Sequence, residues 1–141
     1  SLSAYGIGFH RHNSEIEQMI KKNNKSKLNL TFTPHLSPMF RGILSTIYVD
    51  LKKGKTVNNL HNELIKFFKK SFFVKIKKQN KLLSTNEVIN TNNCIISVCK
   101  SKFKNKAIIL SSIDNLIKGG AGQAIQNMNI LYNFNVKEGL K

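Results

Sequence analysis

Acidic side chains are scarce in this sequence: seven Asp and Glu stand against 23 Lys and Arg among 141 residues, a formal net charge of +16. Arginine is scarcer still, confined to Arg11 and Arg41, and every other basic residue is lysine. Such a charge invites a nucleic-acid reading. Base readout and bidentate phosphate clamps, however, favour the planar fork of arginine, which lysine cannot copy. Lysines scattered from Lys21 to Lys141 read as a solvated surface, so specific nucleic-acid recognition is not expected. A free-standing basic nucleic-acid-binding module stays open as an alternative. No run of 18 apolar residues occurs, which excludes a membrane-spanning helix and leaves no membrane partner expected. The opening SLSAYGIGFHRHN has no charged region followed by a long apolar stretch, so it does not read as a secretory leader, and a cytoplasmic location is expected. The two cysteines, Cys94 and Cys99, lie in CIISVC and face opposite sides of a strand, against a mutual disulfide or a shared metal. Core packing for Cys94 and a reducing compartment fit this usage.

What is present is an ordinary globular composition, 40% hydrophobic with nine phenylalanines, sufficient for a real core. NSEIEQMIKK reads as a short helix capped by Asn13 or Ser14, with Ile16, Met19 and Ile20 as its buried stripe. KLNLTFT alternates as a strand through Leu28, Leu30 and Phe32, and PHLSPMFRG is a proline-broken loop. ILSTIYVDL is a second strand. From Thr56, an expected N-cap, Val57, Leu60, Leu64, Phe67 and Phe68 recur at helical spacing. FFVKIKK, NCIISVC and NKAIILSS are three further strands, the last two an antiparallel pair, after an irregular connection over residues 80–93. A glycine-rich turn then enters a final helix with Ala121, Ala124, Ile125 and Met128 on one side. The order predicts an α+β fold, a mostly antiparallel sheet with helices on one face. Residues 1–112 form the expected main domain, and 113–141 a glycine-rich turn and helix that pack on something else.

Three segments carry candidate chemistry. In YGIGFHRHNSEIEQ, His10 and His12 flank Arg11, and Glu15 follows in the first helical turn. A histidine near a carboxylate can act as general acid or base near neutral pH, and an adjoining helix N-terminus favours an anionic ligand. Two capping or surface imidazoles explain the same residues. A metal held by His10, His12 and Glu15 lacks a fourth ligand and has Arg11 between the histidines, so no metal is expected. In FTPHLSPMFRGI, two prolines stiffen a loop presenting Arg41 as a clamp for carboxylate or phosphate, with a structural ion pair as the alternative. In DNLIKGGAGQAIQ, glycines ahead of a helix can leave N–H groups aimed at a polar ligand, although Ile125 occupies the last glycine position of a dinucleotide fingerprint.

Together and in this order, these segments resemble the N-acetyl-gamma-glutamyl-phosphate reductase family. HRHNSEI from His10 matches its H-R-H-x-P-E-I, FTPHLSPMFRGI from Phe32 its F-T-P-H-L-x-P-M-x-R-G-I, and IDNLIKGGAGQAIQ from Ile113 its I-D-N-L-x-K-G-A-x-G-Q-A-x-Q. Ser14 stands where the family has Pro, and Gly120 where it has Ala. The resemblance implies the C-terminal part of an NADPH-dependent acyl-phosphate reductase of arginine biosynthesis. The implied fold resembles the C-terminal domain of glyceraldehyde-3-phosphate and semialdehyde dehydrogenases. It implies His10 as acid/base, with Tyr5, Arg11, His12, Glu15 and Arg41 binding the acyl phosphate. Asn115, Gly119, Gly122 and Gln123 would meet NADP(H), itself held mainly by an N-terminal Rossmann domain. The family's nucleophilic cysteine and that domain have no counterpart among these residues, and the opening lacks Met, so a piece of a longer homo-oligomeric enzyme, inactive alone, is expected. A same-fold reductase of an amino-adipyl phosphate in lysine biosynthesis is the nearest alternative.

Overall fold

The computed structural model describes residues 1–23 and 29–141. They divide into two compact units, Ser1–Phe40 and Arg41–Lys141.

In the first unit, β1 (Ser3–Ala4) and β2 (His35–Leu36) form a two-stranded antiparallel ladder, Ser3 opposite Leu36 and Ala4 opposite His35. Tyr5 N–H extends it by donating to the Pro34 carbonyl, 3.1 Å. Helix α1 spans Arg11–Asn23 and starts earlier than either expected cap. The His10 ring does the capping: its Nδ1 accepts the His12 N–H at 3.2 Å, satisfying one of the orphan donors of the first turn. Ser14 sits inside the helix and returns its hydroxyl to the Arg11 carbonyl, 2.9 Å. Of the expected stripe, Ile16 and Ile20 are half-buried and Met19 is exposed. Lys27 and Leu28, which open the expected strand, lie outside the described residues. The rest of that segment, 29–33, is not a strand. Leu30 and Phe32 are nonetheless half-buried, so the alternation marked inward side chains without marking a ladder.

The second unit is built on a four-stranded sheet in the order β3-β6-β5-β4. Its strands are β3 (Ile43–Asp50), β4 (Val74–Ile76), β5 (Cys94–Lys100) and β6 (Lys106–Ile113). β6 pairs antiparallel with β3, Ile43 opposite Ile113, and with β5, Cys94 opposite Ile113. β4 alone runs parallel to its neighbour, Val74 opposite Cys94. Helix α2 (Val57–Phe68) packs on β4 and β5. Thr56 caps it as expected, its side chain taking the Asn59 N–H while Asn59 returns to the Thr56 N–H. Phe73, Val88, Ile95, Val98 and Ala107 form the apolar core. β3 is an edge strand with Ile43, Leu44, Ile47 and Tyr48 exposed.

After β6 the chain makes a wide turn at Ile117–Ala121, broken at Gly120, and enters α3 (Gly122–Leu131). Polar ties fasten this segment. Buried Asn92 donates from Nδ2 to Gln126 at 2.9 Å, and buried Asn129 donates to the Glu138 carbonyl at 2.9 Å. Gly122 touches down so closely that a Cβ there would lie 2.5 Å from the Asn92 Oδ1 and 2.9 Å from the Ile117 carbonyl oxygen. The small-residue side, with Ala121, Ala124, Ile125 and Met128, is exposed.

Candidate functional site

Three aromatic rings gather around that of His10 in the first unit. Its centroid lies 5.4 Å from Tyr5, 4.7 Å from His12 and 5.4 Å from Phe32. Local backbone conformation makes this possible. Gly6 adopts φ +59, and its Cα is so near the imidazole that an added Cβ would lie 3.0 Å from the His10 Cδ2. Only glycine combines that left-handed conformation with that approach. The Gly6 carbonyl then receives the His10 N–H at 3.0 Å and closes the turn that delivers the ring to the start of α1. Because a backbone N–H can only donate, the His10 Nδ1 that receives it is the lone-pair nitrogen. The neutral ring therefore carries its proton on Nε2.

His12 Nε2 lies 4.0 Å from the Glu15 carboxylate, both side chains well exposed. Arg11 lies beside His10 at the start of α1. With His10, Asn13 and Glu17 it lines a cavity of about 260 Å³ at the head of α1. The unit thus brings Tyr5, His10, His12 and Glu15 into one chain of contacts, with Arg11 on the adjoining cavity. Among the described residues, no three His, Cys, Asp or Glu side chains converge as metal ligands.

In the second unit, Arg41 faces Asp114 and Asn90. Nε lies 3.0 Å from Asp114 Oδ2, Nη2 donates to Asp114 Oδ1 at 3.2 Å, and Nη1 donates to Asn90 Oδ1 at 2.9 Å. Asp114 is wholly buried, and Arg41 is 15% exposed. The carboxylate also accepts the backbone N–H groups of Asn90 (2.9 Å), Leu116 (2.9 Å) and Ile117 (3.0 Å). Burial alone would raise the Asp114 pKa. The three N–H donors and the Arg41 charge outweigh it and hold the carboxyl below its ordinary value. The structural ion pair left open for Arg41 is therefore formed. Its partner Asp114 stands in IDNL, one of seven acidic residues in the sequence, with no local signal that ties it to Arg41.

Asn115 is recruited to the same loop, its Oδ1 accepting the Gly42 N–H at 2.7 Å. The Gly119 N–H donates to the Asp114 carbonyl and the Ala121 N–H to the Leu116 carbonyl, each 3.0 Å. The Gly122 N–H is bonded within the turn, and Gln123 donates to Asn127 at 2.9 Å. The N–H groups of Gly119, Ala121 and Gly122 are thus spent inside the turn and make no phosphate cradle. Gly119 and Gly120 are exposed and bare, which admits close approach to their backbone. Lys118 folds over this region, donating to Gln126 Oε1 at 2.7 Å with its ammonium 5.6 Å from the Phe73 ring centroid. Burial lowers its pKa from the ordinary lysine value.

An antiparallel sheet with a parallel edge strand, covered by α2 and followed by a glycine turn, is a fold shared with a dehydrogenase domain. The crystal structure of aspartate semialdehyde dehydrogenase II from Vibrio cholerae superposes with a TM-score of 0.58 at 13% identity, over 72% of this chain and 30% of that one. Residues 1–115 match the family described as semialdehyde dehydrogenase, dimerisation domain, and the chain belongs to that family. It is 46% identical over its whole length to the N-acetyl-gamma-glutamyl-phosphate reductase of Staphylococcus aureus strain MRSA252. Over 140 residues it is also 46% identical to the enzyme of that name from Clostridium kluyveri. The chain spans 41% of the length of each of these relatives.

Proposed function

We propose that this chain is the C-terminal, substrate-binding part of an NADPH-dependent reductase that converts N-acetyl-glutamyl phosphate to N-acetyl-glutamate semialdehyde in arginine biosynthesis, in the cytoplasm. One observation carries the reading: in a chain 46% identical over its whole length to an N-acetyl-gamma-glutamyl-phosphate reductase, the H-R-H segment builds a histidine-centred aromatic cluster at a helix N-terminus. In this reading a cysteine thiolate from the remainder of the longer enzyme attacks the acyl phosphate, phosphate leaves, and the thioester is reduced.

His10 handles the protons. With its Nδ1 lone pair receiving the His12 N–H, the neutral ring has Nε2–H left to donate a hydrogen bond to the thiohemiacetal oxygen. Tyr5, Arg11, His12 and Glu15 bind substrate in the first unit and Arg41 in the second, their cationic and hydrogen-bonding groups suiting a ligand with carboxylate, acetamide and phosphate. NADPH supplies the hydride. Bare, exposed Gly119 fits contact with the uncharged end of such a cofactor, with Asn115, Gly122 and Gln123 shaping the turn around it. The turn's internally bonded N–H groups are not offered to its phosphates, and in this reading a nucleotide-binding domain elsewhere in the enzyme takes the main hold. The exposed apolar side of α3 suits packing on that domain, with 113–141 acting as the returning segment. The exposed apolar β3 edge suits contact with a second copy.

The test is NADPH oxidation by the full-length gene product, with N-acetyl-glutamyl phosphate and amino-adipyl phosphate compared directly. Faster turnover of the glutamyl compound supports the proposal. Preference for the longer one moves the enzyme to lysine biosynthesis, and no turnover of either, together with tight salt-sensitive nucleic-acid binding, replaces it.

A further inference from the structure

We propose that the outer edge of β3 seats a strand from the part of the longer enzyme that precedes Ser1, which makes β3 an interior strand of a larger sheet. This rests on the reading above that the chain is the C-terminal part of that enzyme. Among the described residues β6 is the only neighbour of β3, and the row of backbone N–H and C=O groups on its other side has no strand to pair with. Such a row is a template for another strand, and proteins protect it where it is to stay open.

The opposite edge of the same sheet carries that protection. β4 has three residues with Lys75 at its centre, Lys77 and Lys78 follow directly, and α2 packs against it. β3 has none of these devices. It runs for eight residues without lysine, proline or glycine, and its single charge, Asp50 at the far end, is tied to Lys106. None of the chain's lysines falls between Lys27 and Lys52. In composition ILSTIYVD matches the central strand β6, KAIILSSI, rather than an edge. Both faces of β3 are apolar as well. Ile43 and Ile47 lie on one and Leu44 and Tyr48 on the other, all exposed. A strand reads apolar on both faces where both are to be covered.

The relatives supply the occupant. The chain spans 41% of each, so more than half of their length lies outside it. A strand from the same polypeptide meets β3 at high effective concentration and closes the edge in every molecule. A second copy meets the apolar side chains on a face of the sheet, which leaves the backbone row to that strand. Ile43 lies opposite Ile113, next to Arg41 and Asp114, so the added strand ties the rest of the enzyme to the end of the sheet that holds this ion pair.

The test is amide exchange and cross-strand nuclear Overhauser contacts of β3 in the deuterated, isotope-labelled full-length gene product. The amides of residues 44–49 should all exchange at least about 100-fold slower than in an unstructured chain, and the outward-facing ones should contact residues preceding Ser1. Fast exchange at every second amide means an open edge and overturns the proposal. Contacts from β3 to β3 of another copy give the edge to that copy and overturn it too. Intact mass separates this failure from failure of the underlying reading. A native product of 16.0 kDa, the mass of this chain, removes the longer enzyme and the proposal together, whereas a longer product with an open edge removes the strand alone.

Discussion

Replacing Asp114 by alanine should be the most damaging single change in the second unit. The carboxylate is fully buried and accepts three backbone N–H groups in addition to its contacts with Arg41. Removing one member of a buried ion pair costs about 3–5 kcal/mol, because the other is left uncompensated. Arg41 retains 15% exposure, so water recovers part of its solvation and the lower half of that range applies, about 3–4 kcal/mol. Against a domain stability of about 5–15 kcal/mol this is a large fraction. Urea denaturation of the full-length product, followed by far-UV circular dichroism, reads it directly. With a slope of about 2 kcal/mol per molar, the midpoint of the transition containing this unit should fall by about 2 M. The pH dependence gives a second reading. The folded-state pKa of Asp114 is depressed, so its contribution is present above the unfolded carboxylate value of about 3.9 and is lost as pH falls through the folded value. The parent should therefore lose stability below about pH 4 more steeply than Asp114→Ala. A loss under about 1 kcal/mol, or equal acid slopes, would refute the reasoning.

Two further changes test the scaffold. Thr56→Ala removes the N-cap of α2 and one half of a reciprocal box with Asn59, and should cost about 1 kcal/mol in the same denaturation assay. Gly122→Ala puts a methyl against the Ile117 carbonyl and the Asn92 side chain. It should cost about 2 kcal/mol and speed amide exchange in α3 more than in the sheet, despite alanine's better helix propensity.

The parts of this molecule legible in its sequence are those set by local rules. Thr56 announces α2 because a capping hydroxyl and its reciprocal partner lie within one turn. The alternation in β3, β5 and β6 follows from a two-residue side-chain period, and the pairing of β5 with β6 needs only a short connection. Where partners are distant or unusual, the sequence is mute. Nothing in FFVKIKK says that β4 runs parallel to β5. The start of α1 was displaced because an imidazole nitrogen, rather than Asn13 or Ser14, supplies the cap. The glycine turn before α3 offered N–H groups to a ligand on paper, but the wide turn consumes them internally. Asp114 is the instructive omission. It stood inside a recognised motif, yet its task is to join Arg41 and Asn90, residues far from it in the chain. The segments bearing the candidate site were visible as motifs; the contacts that orient their side chains are tertiary.

The measurement that bears most directly on the central claim is the turnover of His10→Ala in the full-length gene product, followed by NADPH oxidation with N-acetyl-glutamyl phosphate. Loss of a positioned acid/base should lower kcat by about 100-fold or more while the protein stays folded. A variant that turns over at the parental rate would take His10 out of the chemistry and contradict the account.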